Sequence, residues 1–271
     1  RDQPRSRGLG DVYKRQDRKP VSVKSYANIA IVKYWGKADA ERMIPSTSSI
    51  SLTLENMYTE TKLSFLPEDA TGDVMYIDDE LQGEKETIKA SKVLDLFRTN
   101  PNQHVKIETW NNMPTAAGLS SSSSGLSALV KAANELFQVG KTQSELAQIA
   151  KFASGSSSRS FFGPLAAWDK DSGEVYQVET DLKLAMIMLV LTDQKKPVSS
   201  RDGMKLCTET STSFPEWIKQ SEQDYKDMLG YLKANDFQAV GELTEANALR
   251  MHQTTSTANP PFSYLTDASY Q

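Results

Sequence analysis

The stretch from His104 to Phe137 constrains the fold of this chain more than any other. It opens with an alternating strand pattern, HVKIETW, in which Val105 and Ile107 share one face. A loop of small residues follows, PTAAGLSSSSSG, and apolar residues at helical spacing then run from Leu126 to Phe137. Together these parts predict a strand, a serine-rich loop and an amphipathic helix in direct succession.

The five consecutive serines of this loop allow two interpretations. Serine-rich runs are usually flexible linkers, and composition alone favours that interpretation. The position of the run favours the other, because the first N–H groups of a helix are unpaired and the helix dipole attracts negative charge. The run has neither the Gly-Lys-Ser/Thr ending of a Walker loop nor the G-x-G-x-x-G of dinucleotide folds. We therefore predict a phosphate-binding loop of another kind.

The remaining patterns interleave strands and helices without strict alternation, which predicts the α+β class. Alternating residues predict strands in VSVKSYANIAIV and two strand runs in TSSISLTLENMYTETKLSFL. Helical spacing predicts a helix between Gly83 and Arg98, and Thr142 and Glu145 form a capping box before the next one. FFGPLAAWDKDSGEVYQV predicts a hairpin that turns at residues 171–173.

The C-terminal part begins with a different composition. The apolar run from Leu184 to Leu191 predicts a buried strand, and helices are expected over Pro215–Lys233 and Asp236–His252. A boundary after residue 182 divides the chain into a domain at 17–182 and a second at 183–271. Residues 1–16 lack apolar periodicity and a signal-peptide pattern, so we expect them to lie outside both domains.

Composition excludes several classes of protein. With 271 residues, 38% of them hydrophobic, and a net charge of −4, the chain has a core but no basic surplus for nucleic acid. Its longest apolar run is far shorter than the roughly 20 residues that span a bilayer. The single cysteine, Cys207, predicts a buried thiol and a cytoplasmic location. His104 and His252 lack partners at ligand spacing, so no protein metal site is expected.

Three further segments carry residue types suited to an anionic ligand. The segment KYWGK combines Lys33 and Lys37 with aromatic rings, although exposed lysines at a strand end would give the same pattern. In ASGSSSRSFFG, Arg159 could grip a carboxylate or phosphate with two N–H groups, or could be an ordinary surface arginine. The segment DQKKPVSSRDGM supplies Lys195, Lys196, Ser199, Ser200 and Arg201.

Together these motifs resemble a known family. The serine loop is similar to the phosphate-binding loop of the GHMP superfamily of small-molecule kinases, and K-Y-W-G-K with S-G-S-S-S-R-S closely resembles the diphosphomevalonate decarboxylase family, from about Val21 to the end of the chain. The resemblance implies a GHMP-type N-terminal domain, ribosomal protein S5 domain 2-like, followed by an incomplete ferredoxin-like domain. It also implies conversion of (R)-5-diphosphomevalonate into isopentenyl diphosphate in the mevalonate route to isoprenoids, with ATP and Mg²⁺, by a possible homodimer.

The resemblance assigns expected roles to individual residues. Lys33, Arg159 and Ser200 would be catalytic. The diphosphomevalonate site would comprise Tyr34, Trp35, Gly36, Lys37, Ser154, Gly155, Ser156, Ser157, Ser158, Arg159, Lys195, Ser199, Ser200 and Arg201. The ATP phosphates would lie on Pro114, Ala116, Gly118, Leu119, Ser120, Ser121, Ser122, Ser123 and Ser124.

One departure from the family pattern changes the expectation for activity. The catalytic aspartate of the family lies in a Met-Asp-Ala-Gly-Pro-Asn segment, which is not found before Gln271, and Asp267 has a different context. We therefore expect a truncated chain with an unpaired sheet edge and little decarboxylase activity. The alternatives are a sister enzyme that stops after phosphorylation, such as mevalonate or phosphomevalonate kinase, and a non-catalytic nucleotide-binding module.

Overall fold

A computed structural model describes residues 18–113, 121–192, 194 and 196–271. The strands are β1 (Val21–Val32), β2 (Lys37–Asp39), β3 (Ile44–Pro45), β4 (Ser49–Phe65), β5 (Val74–Ile77), β6 (Glu80–Leu81), β7 (Val105–Asn111), β8 (Leu165–Trp168) and β9 (Val175–Gln177). The α-helices are α1 (Glu84–Leu94), α2 (Ser121–Leu136), α3 (Gln143–Ala153), α4 (Ser200–Thr210), α5 (Phe214–Lys233) and α6 (Phe237–Ser256). Two 3₁₀ helices span Gly155–Phe161 and Asp267–Tyr270. The predicted α+β class is confirmed.

Strand β4 organises the larger sheet. It pairs antiparallel with β1 along most of its length, with β7 from Thr59 to Phe65 and with β8 from Ser49 to Leu52. Strand β5 pairs parallel with β7 and antiparallel with β6, and β9 pairs antiparallel with β8. The two strand runs predicted in this region are therefore one 17-residue strand. The β8–β9 pair confirms the predicted hairpin.

Two apolar clusters lie against this sheet. Helices α1, α2 and α3 cover one, which includes Leu63, Ile107 and Leu136. Helices α5 and α6 contribute Met228, Leu232 and Val240 to the other, which also contains Ile31, Ile50 and Leu165. Adjacent β8 residues enter different clusters, Ala167 the second and Trp168 the first, because successive side chains point to opposite faces of a sheet.

Local signals account for several helix ends. Thr142 and Glu145 form the predicted capping box at the start of α3. The predicted helices near 84–98, 215–233 and 236–252 are found with shifts of a few residues at their ends.

Cys207 is fully buried and free, as predicted. Among the described residues, no helix combines the length and apolar character needed to cross a membrane.

The predicted buried strand at Leu184–Leu191 is wrong. The backbone there is not part of a strand, and Ile187 and Leu189 are 84% and 81% exposed. Leu184 and Met186 do pack against the second cluster, so one face is covered. No described strand lies beside the segment, and a strand needs hydrogen bonds to a neighbour to form.

The domain organisation keeps two predictions open. The described residues after Gln177 form helices and no strand, so a ferredoxin-like arrangement of the C-terminal part stays a prediction. The boundary after residue 182 also stays a prediction.

Helix α4 was not predicted, although the sequence contains a signal for its start. The side chain of Ser199 accepts a hydrogen bond from the Asp202 N–H, which is the usual interaction of a helix N-cap.

Candidate active site

A cleft of about 1100 Å³ lies where the end of β1, helices α1 and α2, the 155–161 helix and the start of α4 meet. Its described lining contains the cations Lys33, Lys37, Lys89, Arg159, Lys196 and Arg201. It contains a single acidic residue, Glu86, which is paired with Lys89 at 3.0 Å. The resulting excess of positive charge favours an anionic ligand.

Lys33 lies at the inner end of the segment that follows β1. Its Nζ donates to the Ala30 carbonyl at 2.8 Å, and it takes part in none of the ion pairs of the described chain. Burial, and then the charge of Arg159, lower the pKa of Lys33 to about 8. At neutral pH it is mostly protonated, with donor capacity left for a ligand.

The neighbouring Tyr34 presents an unused polar group. Its ring packs on Trp168 with centroids 5.1 Å apart, and its buried hydroxyl has no hydrogen-bond partner among the described residues. Burial raises the pKa of Tyr34 to about 12, against the opposing charges of Arg159 and Arg201. Gly155 makes this packing possible, because a Cβ there would lie 2.8 Å from the Tyr34 ring. A buried hydroxyl that lines a cleft and lacks a partner is a candidate ligand contact.

Trp35 and Gly36 shape the cleft from behind. Trp35 is 5% exposed, and its indole N–H donates to the Thr254 hydroxyl at 2.9 Å. Gly36 has a φ of +111°, and a Cβ there would lie 2.6 Å from Phe214. Only glycine fits this position without strain. Lys37, at the start of β2, reaches the cleft with a pKa lowered by burial and by Arg201.

Arg159 is a buried cation, 3% exposed, on the 3₁₀ helix. Nη1 donates to Ser49 Oγ at 2.6 Å and Nη2 to Asn28 Oδ1 at 3.4 Å, while Nε has no partner among the described residues. Burial lowers the pKa of Arg159 to about 10, although Tyr34 opposes this. The side chain is therefore still charged at neutral pH. Arg159 lines the cleft, and no carboxylate of the described chain forms an ion pair with it.

The serines beside Arg159 separate into two groups. Ser154 and Ser156 line the cleft with Gly155. Ser157 and Ser158 are fully buried, and their hydroxyls donate to the carbonyls of Ala150 and Ser154 and of Gly155, respectively. Neither of these two residues is found in the cleft lining, so they hold the helix turn together.

The start of α4 closes another side of the cleft. Ser199, Ser200, Arg201 and Lys196 line it, and Lys196 lies 5.3 Å from the centre of the Tyr264 ring. Burial lowers the pKa of Lys196. Lys195 lies outside the described residues. The Ser199 hydroxyl donates to Asp202 at 2.7 Å, so it helps to stabilise the N-terminus of this helix.

The serine loop is described only in part. Residues 114–120, which include Pro114, Ala116, Gly118, Leu119 and Ser120, lie outside the described residues. Helix α2 starts at Ser121, and Ser122 and Gly125 line the cleft. Ser123 and Ser124 are fully buried, with Ser124 Oγ 2.7 Å from Thr59 Oγ1. A helix N-terminus therefore opens beside the cations of the cleft, and this arrangement fits a chain of phosphates.

The far end of the cleft was not predicted. It is lined by apolar residues from β5, α1, β7 and α2, with a few polar groups among them. These residues are Met75, Ile77, Ala90, Ile107, Leu126 and Leu129, with Thr109 and Asn111. No local motif marks them, because they come from four elements that only the tertiary fold brings together. Asn28, which supports Arg159, was missed for the same reason.

Of the predicted site residues that the structure describes, most line one cleft, and their individual roles stay predictions. The structure adds no metal site of its own: the described residues contain no group of three or more His, Cys, Asp or Glu that could hold an ion.

Comparisons with known proteins identify similar domains and similar whole proteins. Two family profiles match: "Diphosphomevalonate decarboxylase-like N-terminal domain" over residues 25–178, and "Mevalonate 5-diphosphate decarboxylase C-terminal domain" over residues 186–271. The diphosphomevalonate decarboxylase of Saccharomyces cerevisiae is 33% identical over 278 residues, which cover 92% of this chain and 69% of that protein.

Solved structures are also similar. Mevalonate pyrophosphate decarboxylase from Streptococcus pyogenes has 67% identity and a TM-score of 0.91, over 94% of this chain and 81% of that one. A structure described as MDDEF in complex with MVAPP, AMPPCP and magnesium has 38% identity and a TM-score of 0.81, over 93% of this chain and 80% of that one.

Proposed function

Because the chain belongs to the diphosphomevalonate decarboxylase family, we propose that it takes part in the ATP-dependent decarboxylation of (R)-5-diphosphomevalonate to isopentenyl diphosphate. ADP, phosphate and carbon dioxide are the other products. The observation that carries the proposal is a pair of cations, the half-buried Lys33 and the buried Arg159, which line the cleft without a carboxylate partner among the described residues. A substrate with a carboxylate and a diphosphate supplies the missing negative charge.

The two ends of the cleft suit different parts of two ligands. The segment 33–37, the 154–159 turn and residues 196–201 would hold diphosphomevalonate, with Arg159 on its carboxylate and the lysines on its diphosphate. The apolar end between β5, β7 and α2 would take the base of ATP, and the start of α2 its phosphates. Mg²⁺ would be held mainly by the phosphates of ATP, and it would neutralise their charge when bound.

The residues of the cleft would act by positioning and by neutralising charge. Phosphoryl transfer forms a bond between the γ-phosphorus of ATP and the 3-oxygen, breaks the bond from that phosphorus to the ADP oxygen, and releases the hydroxyl proton to solvent. Fixed cations stabilise the charge on the transferred group. Loss of that phosphate leaves positive character at C3. The bond between the carboxylate carbon and C2 then breaks, its electrons form the C2–C3 double bond, and carbon dioxide leaves. Arg159 would orient the carboxylate for this step.

The proposal extends to location and assembly. The single cysteine suits a reducing compartment, so a cytoplasmic location is proposed. A homodimer is proposed from the family resemblance alone. Sedimentation of the purified chain would test it, and a single monomeric species across the micromolar range would contradict it.

Calorimetric titration with diphosphomevalonate tests the proposed function directly. We expect saturable binding that depends on Arg159. With ATP and Mg²⁺ we expect labelled carbon dioxide from 1-¹⁴C-diphosphomevalonate only at the low rate that the sequence predicts. A phosphorylated product that keeps its carboxylate would assign the cleft to a kinase. Nucleotide binding without binding of diphosphomevalonate would indicate a nucleotide-binding module and overturn the proposal.

A further inference from the structure

Helices α5 and α6 hold the segment 33–37 from behind the cleft. Asn247 Oδ1 accepts the backbone N–H of Lys33 at 2.8 Å. Thr254 Oγ1 accepts the Trp35 indole N–H at 2.9 Å, and the Trp217 indole N–H donates to the Trp35 carbonyl at 3.0 Å. Asn247 and Thr254 are fully buried, and neither is found in the cleft lining. They touch the peptide that carries the cations while remaining outside the cleft itself.

Asn247 is itself held in one orientation. Its Nδ2 donates to Asp224 Oδ2 at 2.9 Å, and the 1% exposed Asp224 also accepts from Arg250 and from Gln220 Nε2. A backbone N–H can only donate and a carboxylate can only accept, so the amide oxygen must face Lys33 and the amide nitrogen must face Asp224. The contact to Lys33 is therefore the end of a buried, connected network.

The segment needs this support because it has no strand of its own. Residues 33–36 lie between β1 and β2 outside any strand, and Gly36 adopts a left-handed conformation. From the sheet side, Thr47 accepts the Trp35 N–H at 3.3 Å and donates to the Lys33 carbonyl at 3.1 Å. The helix side supplies the shorter bonds to residues 33–35. The Ser46 N–H also donates to the Gly36 carbonyl at 3.0 Å. Without the bonds from the helices, the described residues would hold the backbone of residues 33–35 through Thr47 and packing alone.

We propose that Asn247 and Thr254 are positioning residues, which set the affinity for the diphosphate-bearing substrate by fixing the Lys33–Lys37 segment without contacting the substrate. This inference rests on the proposed function for its choice of ligand. It assigns to helices α5 and α6 a part in a site whose cations, from Lys33 to Arg201, all lie outside these two helices.

The pKa of Lys33 can be measured to test the positioning role. It should not change if Asn247 and Thr254 only stabilise the fold. Its ammonium faces Arg159 on the 3₁₀ helix and His252 on α6, and Lys196 also acts on that histidine. Burial keeps the pKa of Lys33 near 8, against an ordinary value of 10.5. If the segment loosens, water reaches the ammonium and the pKa of Lys33 rises.

The helix offers a matched control. Thr254 and Thr244 both lie on α6, and each hydroxyl donates to a carbonyl of its own helix, but only Thr254 also accepts from Trp35. We therefore compare Thr254→Val with Thr244→Val, and both with Asn247→Ala. The measurements are the calorimetric affinity for diphosphomevalonate, the affinity for ATP, and the pKa of Lys33 by NMR of ¹³C-methylated lysines.

The expected result is a selective loss. Asn247→Ala should weaken diphosphomevalonate binding about tenfold and Thr254→Val about threefold, the range expected for one lost buried hydrogen bond. Both should raise the pKa of Lys33, while ATP affinity stays within about twofold. Thr244→Val should change neither quantity. If Asn247→Ala does not fold, the difference in diphosphomevalonate affinity between Thr254→Val and Thr244→Val tests the inference.

Two results would overturn the inference. One is unchanged diphosphomevalonate affinity in both variants while the chain stays folded; the other is an equal loss in Thr244→Val. If the unaltered chain fails to bind diphosphomevalonate, that result contradicts the proposed function and not the positioning role. The pKa of Lys33 in the variants is then the test of the positioning role. A rise in Asn247→Ala or Thr254→Val then supports positioning, and no change rejects it.

Discussion

Arg159 shows at the scale of one residue how a site can oppose stability. Taking a guanidinium out of water is unfavourable, and its described partners, Ser49 and Asn28, are both neutral. A buried charge without an opposite charge does little for folding. We interpret the presence of an unpaired charge at this position as a requirement of the ligand.

Replacing this charge should separate binding from folding. We expect Arg159→Met to weaken diphosphomevalonate affinity on the order of 100-fold, because a charge-assisted contact is lost. The free energy of unfolding should fall by no more than about 1 kcal/mol, since an apolar chain avoids the desolvation penalty. Calorimetry and urea unfolding measure the two quantities. A variant that binds normally would remove Arg159 from the site.

Lys33 should make substrate binding depend on pH. With a pKa of about 8, its ammonium is present below that pH and is lost as the pH rises through it. Affinity for diphosphomevalonate should therefore fall by up to about tenfold per pH unit above pH 8. In Lys33→Arg, whose guanidinium keeps its charge, the fall in affinity above pH 8 should be less steep, and Lys37 and Lys196, whose pKa values are also lowered, account for what remains. The same slope in both proteins would place the titrating group elsewhere.

Element geometry accounts for the different roles of two glycines. Gly36, between β1 and β2, combines a φ of +111° with a Cβ position 2.6 Å from Phe214. Gly230 is exposed inside helix α5, and a Cβ there meets nothing within 4 Å. The same substitution should therefore have opposite effects at the two positions.

Alanine at each glycine tests this difference. Gly36→Ala should lower the free energy of unfolding by about 2–3 kcal/mol, through backbone strain and the clash with Phe214. Gly230→Ala should raise it by about 0.5–1 kcal/mol, because alanine favours the helix. Chemical denaturation of both variants measures the signs. Equal effects would mean that the conformation around Gly36 adapts freely.

At the scale of the whole molecule, the segment 182–191 is the least covered apolar part of the described chain. Ile187, Leu189, Val190 and Leu191 are between 52% and 84% exposed. An extended apolar backbone without a neighbouring strand can pair with another chain. We therefore predict that this segment promotes self-association.

Charge on this segment should reduce self-association. We expect Ile187→Lys combined with Leu189→Lys to lower the weight-average mass seen by light scattering, with the melting temperature unchanged within about 2 °C, because exposed side chains contribute little to folding. Phe237→Lys, at an exposed position on α6, is the control and should leave the mass unchanged. Aggregation that continues in the double variant would point to another surface.

The predictable part of the molecule consists of features whose signals are local. Strand β7 and helix α2 follow from their alternating and helical spacings, and the start of α3 follows from its capping box. The prediction at Leu184–Leu191 failed because an apolar run reports burial tendency, while a strand also needs a partner. Helix α4 was missed although Ser199 and Asp202 carried an N-cap signal.

By itself, the sequence determined the α+β class, most element positions and the motifs that place the chain in its family. These depend on residue chemistry at short separations, which the chain carries before it folds. Only the tertiary structure decided that Arg159 is buried beside Lys33, that the apolar end of the cleft draws on four elements, and that Asn247 reaches Lys33 from 214 residues away. Such contacts depend on how sheet and helices pack, and no local pattern contains that information.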